Sequence, residues 1–253
     1  MFEEADIHEP SSYRRLIGRL LYLVNTRPDI CFVVQHLSQF VQNPTIHHHR
    51  VVQHVLRYIK VAPAQGLFYS KNFVLHLKAF SDSDWASCSM TQRSTTGFCI
   101  FLEESLISWK TKKQSTVSRS SSEAEYRALA STSCQLQWLT FLLRDLHVIT
   151  PNTACLYCDS QAARHIALNS SFHECTKHID IDCHVVHERL QQNLFHLLPI
   201  RSVEQPADVL SSRAKHFPET YQQAWSSLHT CSSLREGFKF ELLGLYPSYG
   251  LCS

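Results

Sequence analysis

The apolar residues of the chain change their spacing near Gly66, and this change constrains the fold more than any other feature of the sequence. Before Gly66, apolar residues recur at helical spacing in three segments, which restart at Pro10, Pro28 and Pro44. Proline suits the first turn of a helix, so these segments predict three amphipathic helices between residues 10 and 62. After Gly66, short apolar runs and alternating patterns predict strands.

Strand and helix patterns alternate through the second part of the sequence. Strand patterns come first, a long helical pattern follows, and then come a strand, two helices, a strand and a last helix. This order predicts an α/β fold, in which helices pack on the faces of a mixed sheet. The predicted strands cover 67–69, 74–80, 95–102, 106–110, 153–158 and 194–200, and the predicted helices cover 124–146, 161–168, 177–192 and a segment from Pro206.

These patterns divide the sequence into three regions. The 253 residues suffice for one large domain or for a medium domain with an appendage. We predict a small helical region over 1–70, an α/β domain over 71–215 and a C-terminal extension over 216–253. The apolar residues of the extension follow no clear period, so its fold stays undefined by the sequence.

Basic residues are concentrated in two stretches, although the formal net charge is only +2. Residues 11–60 contain seven Arg or Lys against a single acid, Asp29, which gives a local net charge of +6. Residues 105–121 contain four basic residues and no acid. Such stretches favour a polyanionic partner. A solvated surface that is balanced by acids elsewhere explains the charge equally well.

Cysteine usage and the N-terminal sequence predict an intracellular protein. The ten cysteines are scattered without a regular framework, and residues 1–6 are acidic, with no apolar signal region. No apolar run approaches the roughly 20 residues that span a bilayer. We therefore expect free thiols, a cytoplasmic or nuclear location and no membrane partner.

Four carboxylates are the candidate catalytic groups. Asp82 ends the first long strand, Glu125 lies in the first turn of the long helix, Asp159 ends the predicted strand over 153–158, and Asp208 starts the last helix. Ligand sites of α/β sheets gather at strand ends. Clustered acids repel one another unless a cation neutralises them, and oxygen ligands suit Mg²⁺ or Mn²⁺. Two such ions about 3.5–4 Å apart catalyse phosphodiester hydrolysis in many enzymes.

Each of these acids also has a purely structural explanation. Glu125 lies three residues after Ser122, which is the spacing of a capping box, and Ser120 and Glu123 have the same spacing. The aspartates at the helix starts are typical of N-caps, and Asp82 is typical of a turn. Spacing alone therefore leaves a metal site and a set of caps and turns both open.

A zinc site is a weaker alternative. Cys155 and Cys158 have the spacing of paired zinc ligands. However, residues three apart on a strand point to opposite faces, so the two thiols do not converge. The histidines available to complete such a site are His173, His178, His184 and His187.

Nine short runs between residues 13 and 210 form a distinctive pattern. The most specific of them are Thr26-Arg27-Pro28-Asp29-Ile30, Ser81-Asp82-Ser83-Asp84-Trp85, Ile107-Ser108-Trp109-Lys110, Glu123-Ala124-Glu125-Tyr126-Arg127-Ala128-Leu129, Cys158-Asp159-Ser160-Gln161 and Pro206-Ala207-Asp208-Val209-Leu210. In order and spacing, the nine runs resemble the C-terminal part of the Pol polyprotein of copia-type LTR retrotransposons.

The resemblance implies a fold and an activity. Residues like 13–70 form the end of the reverse transcriptase in that family, and residues like 74–215 form an RNase H domain with a mixed five-stranded sheet flanked by helices. That domain cleaves the RNA strand of RNA–DNA hybrids with two Mg²⁺ or Mn²⁺ ions. The implied catalytic and metal-binding residues are Asp82, Glu125, Asp159 and Asp208, and the predicted nucleic-acid contacts are Lys110, Lys112, Lys113, Arg119 and Lys177.

The sequence also departs from the family pattern. The Asp-Asp motif of the polymerase is absent, so we predict no polymerase site in this sequence. Ser211-Ser212-Arg213 replaces the usual Thr-Lys after the last motif, and Ser87-Cys88 replaces a usual Gly-Asp. Two hypotheses follow: an RNase H that works on hybrids beside the upstream reverse transcriptase portion, or an inactive, truncated remnant that at most binds nucleic acid.

Overall fold

The computed structural model describes residues 10–69, 75–148, 150, 152–169 and 179–212. The chain forms two compact units, with the boundary between Gly66 and Leu67. The predicted contact residue Lys177, the histidines at 173 and 178, and the predicted extension over 216–253 lie outside the described residues.

The described part of the first unit contains three α-helices: α1 (Pro10–Leu23), α2 (Cys31–Leu37) and α3 (Ile46–Val61). A 3-10 turn over Pro28–Ile30 leads into α2. Thr45 caps α3, because its hydroxyl accepts from the His48 amide while its own amide donates to His48 Nδ1 at 3.0 Å. The predicted apolar stripes meet in one buried cluster that includes Tyr13, Ile17, Leu20, Val34, Leu37, Val52 and Val55.

Arg27, one of the basic residues between positions 11 and 60, is neutralised inside this unit. Arg27 is buried, and its Nη2 lies 2.7 Å from Asp29 Oδ2. The same guanidinium donates to the carbonyl of Ala62 and to the side chain of Gln65. Arg27 therefore holds the end of α3 to the turn before α2, and its charge is not available to a polyanion.

The second unit is built on a five-stranded mixed sheet in the order β3-β2-β1-β4-β5. β1, β2 and β3 are antiparallel neighbours, whereas β4 is parallel to both β1 and β5. The sheet and the helices around it confirm the predicted α/β fold class. The elements are β1 (Leu77–Asp84), β2 (Thr95–Leu102), β3 (Ser105–Lys113), α4 (Ser121–Asp145), β4 (Ala154–Cys158), α5 (Gln161–Leu168), α6 (Asp180–Gln191), β5 (Phe195–Pro199) and α7 (Asp208–Ser211).

Two strand predictions were wrong. Residues 67–69 form no strand, and the aromatic rings of Phe68 and Tyr69 are mostly exposed, so this apolar run is not buried by a sheet. β1 continues beyond its predicted end because its pairing with β2 extends to Asp84 and Thr95. Asp82 therefore lies inside the strand, opposite Gly97, and not at its end.

The core of this unit lies between α4 and one face of the sheet. Leu77, Ala79 and Ile100 are buried against a helix face that contains Tyr126 and Leu129. This packing follows from the period-2 pattern of β1 and the helical pattern of α4. Across the described residues, no helix combines the length and the apolar character that a membrane crossing needs.

Candidate active site

Asp82 projects from β1 toward the short helix α7. Its Oδ2 accepts a hydrogen bond from the Ser211 hydroxyl, and its carboxyl group also forms a hydrogen bond with that of Asp208. Both aspartates are almost completely buried. The first strand and the last helix therefore bring two of the four predicted acids into direct contact, although they are far apart in the sequence.

Two hydrogen bonds hold α7 and the turn before it against the sheet. Thr111 on β3 donates from Oγ1 to the carbonyl of Leu210 at 2.6 Å, and Gln205 donates from Nε2 to the carbonyl of Ser81 at 3.0 Å. The backbone of α7 also lies very close to β2, because a Cβ on Gly97 would lie 2.6 Å from the Ser211 nitrogen. The close approach of α7 to β2 therefore requires glycine at position 97.

Glu125 is not used to cap α4. Ser120 is the N-cap, and its hydroxyl accepts from the Glu123 amide at 3.2 Å. The Glu123 carboxylate accepts from the Arg119 amide at 2.8 Å and pairs with Arg127 at 2.9 Å. Of the two predicted capping boxes, the structure thus uses the Ser120–Glu123 spacing, which leaves the Glu125 carboxylate for another role.

A buried glutamine fixes the first turn of α4 over the ends of β1 and β2. Gln114 Nε2 lies within hydrogen-bonding distance of Ser83 Oγ, Thr96 Oγ1 and the Ala124 carbonyl oxygen, at 3.4, 3.1 and 3.0 Å. Its Oε1 accepts from the Ser118 hydroxyl at 2.9 Å. This network places the residue after Ala124 beside the end of β1 that contains Asp82.

Asp159 and Asp208 are not N-caps either. Ser160 caps α5, because its hydroxyl accepts from the Ala163 amide at 3.2 Å. Asp159 Oδ2 instead accepts from the Ser202 hydroxyl at 2.6 Å. Asp208 is the first residue of α7, after the N-cap Ala207. The capping explanations of these acids are therefore wrong.

The charges of neighbouring acids add to the effect of burial on two of the four acids, Asp82 and Glu125. The pKa of Asp82 is raised to about 7. Burial is the largest cause and the charge of Asp208 is the next, whereas the hydrogen bond from Ser211 lowers this pKa. The pKa of Glu125 is raised to about 9, mainly by burial and to a smaller extent by the charges of Asp82 and Asp159. Because the ionised forms are disfavoured without a counter-charge, the cluster favours protons or cations.

Two carboxylate oxygens of the cluster fit a cation. Glu125 Oε2 and Asp159 Oδ1 are buried and have no hydrogen-bond partner in the described part of the chain. Buried polar atoms are normally paired, so such exceptions require an explanation. The Cys158 sulfur lies with one oxygen of each of these acids, all three atoms being within 4.8 Å of one another. Burial raises the pKa of this thiol well above its usual value.

The predicted nucleic-acid contacts are only partly near the acids. Lys110 and Lys112 are exposed on β3, which is an edge strand. They alternate with Thr111, which faces α7, so they extend from the opposite face to Asp82. Arg119 is exposed immediately before the cap of α4. Lys113 lies on the Thr111 face, where its Nζ is 3.6 Å from the Cys88 sulfur.

Known proteins of similar sequence identify the family. The chain is 38% identical over 211 residues to the Arabidopsis thaliana retrovirus-related Pol polyprotein from transposon RE1, and 39% identical over 203 residues to that from transposon RE2. These matches cover 83% and 80% of the chain. The chain belongs to the retrovirus-related Pol polyproteins of copia-type transposons. It spans 14% of the length of each of these two polyproteins.

No family model matches the chain. Among solved structures, an N-terminal RNase H domain from Mycobacterium tuberculosis is 15% identical, with a TM-score of 0.38 over 61% of this chain and 99% of that domain. RNase H1 from Halobacterium salinarum is also 15% identical, with a TM-score of 0.33 over 54% of this chain and 94% of that enzyme.

Several contacts around the four acids of this copia-type Pol chain were not predicted from its sequence. The hydroxyls of Ser211 and Ser202 donate hydrogen bonds to Asp82 and Asp159. The absence of a side chain at Gly97 allows the helix that contains Asp208 to approach β2 closely. In the sequence, Ser211 is visible only as a departure from the family's Thr-Lys. Its hydroxyl is the group that a threonine would also present, and this was the one available signal.

Proposed function

We propose that the second unit is a ribonuclease H-type endonuclease, which hydrolyses the RNA strand of RNA–DNA hybrids as part of a retrotransposon polyprotein. The observation that supports this proposal is the convergence of four acids from four separate elements. Asp82, Glu125, Asp159 and Asp208 interact electrostatically, and none of them serves as a helix cap. A purely structural cluster of this kind destabilises the fold, which favours a functional explanation.

The proposed cofactor is a pair of Mg²⁺ or Mn²⁺ ions held by these four carboxylates. When bound, such ions activate a water for attack on a phosphodiester and stabilise the leaving oxygen. The buried, unpartnered oxygens of Glu125 and Asp159 supply ligands of the oxygen type that these ions prefer. The hydroxyls of Ser211 and Ser202 hold the carboxylates of Asp82 and Asp159 in one orientation, as outer partners of metal ligands do.

The proposed partners are an RNA–DNA hybrid and the upstream reverse transcriptase portion of the polyprotein, in the cytoplasm or nucleus. Exposed basic groups in the same unit as the acids support the hybrid. Lys110 and Lys112 lie along an edge strand, and Arg119 precedes the helix that contains Glu125. Basic side chains in such positions bind phosphates without reading bases.

An inactive remnant that at most binds nucleic acid is the second candidate. The observation that favours it is the replacement of the family's Thr-Lys by Ser211 and Ser212. The contact of the Ser211 hydroxyl with Asp82 weakens this argument, because the group that orients the acid is retained. A cleavage experiment separates the two candidates.

We expect the full chain to cut the RNA strand of a hybrid in Mg²⁺ or Mn²⁺, and Asp82→Asn to lose at least about 100-fold of the rate, because a bound ion contributes several kcal/mol. The measurement is gel analysis of a hybrid with an end-labelled RNA strand. Asp145→Asn, at the exposed end of α4, is the matched control and should retain the rate. Hybrid binding without cutting in either metal would support the inactive remnant.

Reversing the charges of Lys110 and Lys112 is expected to weaken hybrid binding and to flatten its salt dependence. Each phosphate contact that is lost should reduce the slope of log K against log salt by about one. Fluorescence anisotropy at several salt concentrations measures both quantities. Arg144→Glu, also exposed on α4, controls for a general change of charge. An unchanged slope in the double variant would remove β3 from the proposed interface.

A further inference from the structure

The end of β4 presents a sulfur atom beside the acids. Cys158 is the last residue of the strand and is completely buried, and Asp159 follows it where the chain leaves the sheet. Because the strand ends there, the side chains of two successive residues both approach Glu125. The Cys158 sulfur and one carboxylate oxygen from each acid all lie within 4.8 Å of one another.

We infer that Cys158, Glu125 and Asp159 form a binding site for one thiophilic divalent cation, Zn²⁺ or Cd²⁺. The site shares two acids with the proposed nuclease but does not require that the protein cleaves RNA. Its distinguishing ligand is the thiolate, which hard ions such as Mg²⁺ do not select and which Zn²⁺ and softer ions do.

The geometry and the chemistry agree with such an ion. Zinc binds sulfur at about 2.3 Å and carboxylate oxygen at about 2.0–2.2 Å, so two ligands of one ion lie up to about 4 Å apart. The Cys158 sulfur and the two carboxylate oxygens, which lie within 4.8 Å of one another, need to move only slightly closer together to reach this distance. Three protein ligands leave the fourth tetrahedral position for a water. The buried, unpartnered oxygens of Glu125 and Asp159 are available as ligands.

Binding is a proton exchange without redox change. The S–H bond of Cys158 breaks as the sulfur–metal bond forms, and the proton passes to the buffer. The cation reaches the buried sulfur from the side of the half-buried Glu125 and Asp159. Occupation of this site removes two carboxylates from the proposed Mg²⁺ set, so Zn²⁺ and Cd²⁺ should inhibit a nuclease at this site.

The strand also supplies a matched control thiol. Cys155 lies three residues earlier on β4, and its sulfur is 3.6 Å from His76 Nε2. Cys155 is partly exposed, whereas Cys158 is buried, as expected for side chains on opposite faces. A metal bound by the inferred site must therefore depend on Cys158 and not on Cys155.

The test is a Cd²⁺ titration of the full chain after dialysis against a chelator. The signal recorded during the titration is the ultraviolet charge-transfer absorption of the cadmium–thiolate bond. We expect one saturating equivalent in the wild type and in Cys155→Ser. Cys158→Ser should lose this absorption, and Glu125→Gln should keep the thiolate absorption but bind at least about tenfold more weakly. Circular dichroism verifies that each variant is folded.

Several results would overturn the inference: no saturable absorption in the wild type, absorption that persists in Cys158→Ser, or equal loss in Cys155→Ser. If Cys158→Ser does not fold, Glu125→Gln decides, since unchanged Cd²⁺ affinity in that variant also contradicts the site. The readout does not use RNA cleavage. A protein that binds Cd²⁺ through Cys158 without cutting hybrids would refute the nuclease proposal alone.

Discussion

Replacing Gly97 with alanine is expected to reduce the proposed RNA cleavage by at least about 100-fold. A Cβ at this position would lie 2.6 Å from the Ser211 nitrogen and 2.8 Å from the Ala207 oxygen. These are backbone atoms, so no side-chain rotation relieves the overlap, and α7 must move by roughly 1 Å. α7 contains both Asp208 and Ser211, and a displacement of this size at a catalytic group costs about 100-fold.

The same substitution should destabilise the second unit by about 1–3 kcal/mol, as overpacking generally does. Urea unfolding and a hybrid-cleavage assay on the same sample measure both effects. Gly18→Ala is the control, because a Cβ on Gly18 meets no atom within 4 Å. Wild-type stability and cleavage in Gly97→Ala would contradict the described contact between β2 and α7.

Raising the pH is expected to destabilise the metal-free protein. The folded-state pKa values of Asp82 and Glu125 are about 7 and about 9, above their ordinary values of 3.8 and 4.5. At pH values between the ordinary pKa and the folded-state pKa of each group, the folded state therefore binds more protons than the unfolded state. The contribution of these two groups to the free energy of unfolding is fully present below about pH 4. It is lost as the pH rises through 7 for Asp82 and through 9 for Glu125. The total effect is on the order of several kcal/mol.

Urea titrations in chelator at several pH values measure this loss. Asp82→Asn and Glu125→Gln should each flatten the decline, because an uncharged amide replaces a carboxylate that is costly to ionise. Saturating Mg²⁺ or Mn²⁺ should restore stability at high pH, since a ligand that binds only the folded state stabilises it. Equal pH dependence in wild type and both variants would show that these carboxylates do not carry the repulsion.

The fold was largely predictable because its signals are local. The period-2 pattern of β1 and the helical pattern of α4 each lie within a single segment, and the structure has both elements. The prediction failed at residues 67–69, where an apolar run lacks a partner strand and remains exposed. A strand needs a neighbour to pair with, and a short run does not identify that neighbour.

The details of the site were less predictable because its contacts join distant residues. Ser211 and Asp82 are 129 positions apart, and Ser202 and Asp159 are 43 apart. Nothing near Gly97 in the sequence indicates that a helix more than 100 residues later approaches its backbone. The resemblance named the four acids, and the structure adds the groups that orient them. The catalytic roles of the acids stay predictions.

The most direct test of the nuclease proposal compares the wild type with Glu125→Gln and Glu123→Gln in one hybrid-cleavage assay with Mg²⁺ or Mn²⁺. Glutamine can accept the helix-cap hydrogen bonds of Glu123 but cannot replace the charge of a metal ligand at position 125. The account predicts cutting of the RNA strand by the wild type and by Glu123→Gln, and loss of at least about 100-fold of the rate in Glu125→Gln. Equal cutting by Glu125→Gln, or no cutting by the folded wild type in either metal, would contradict it.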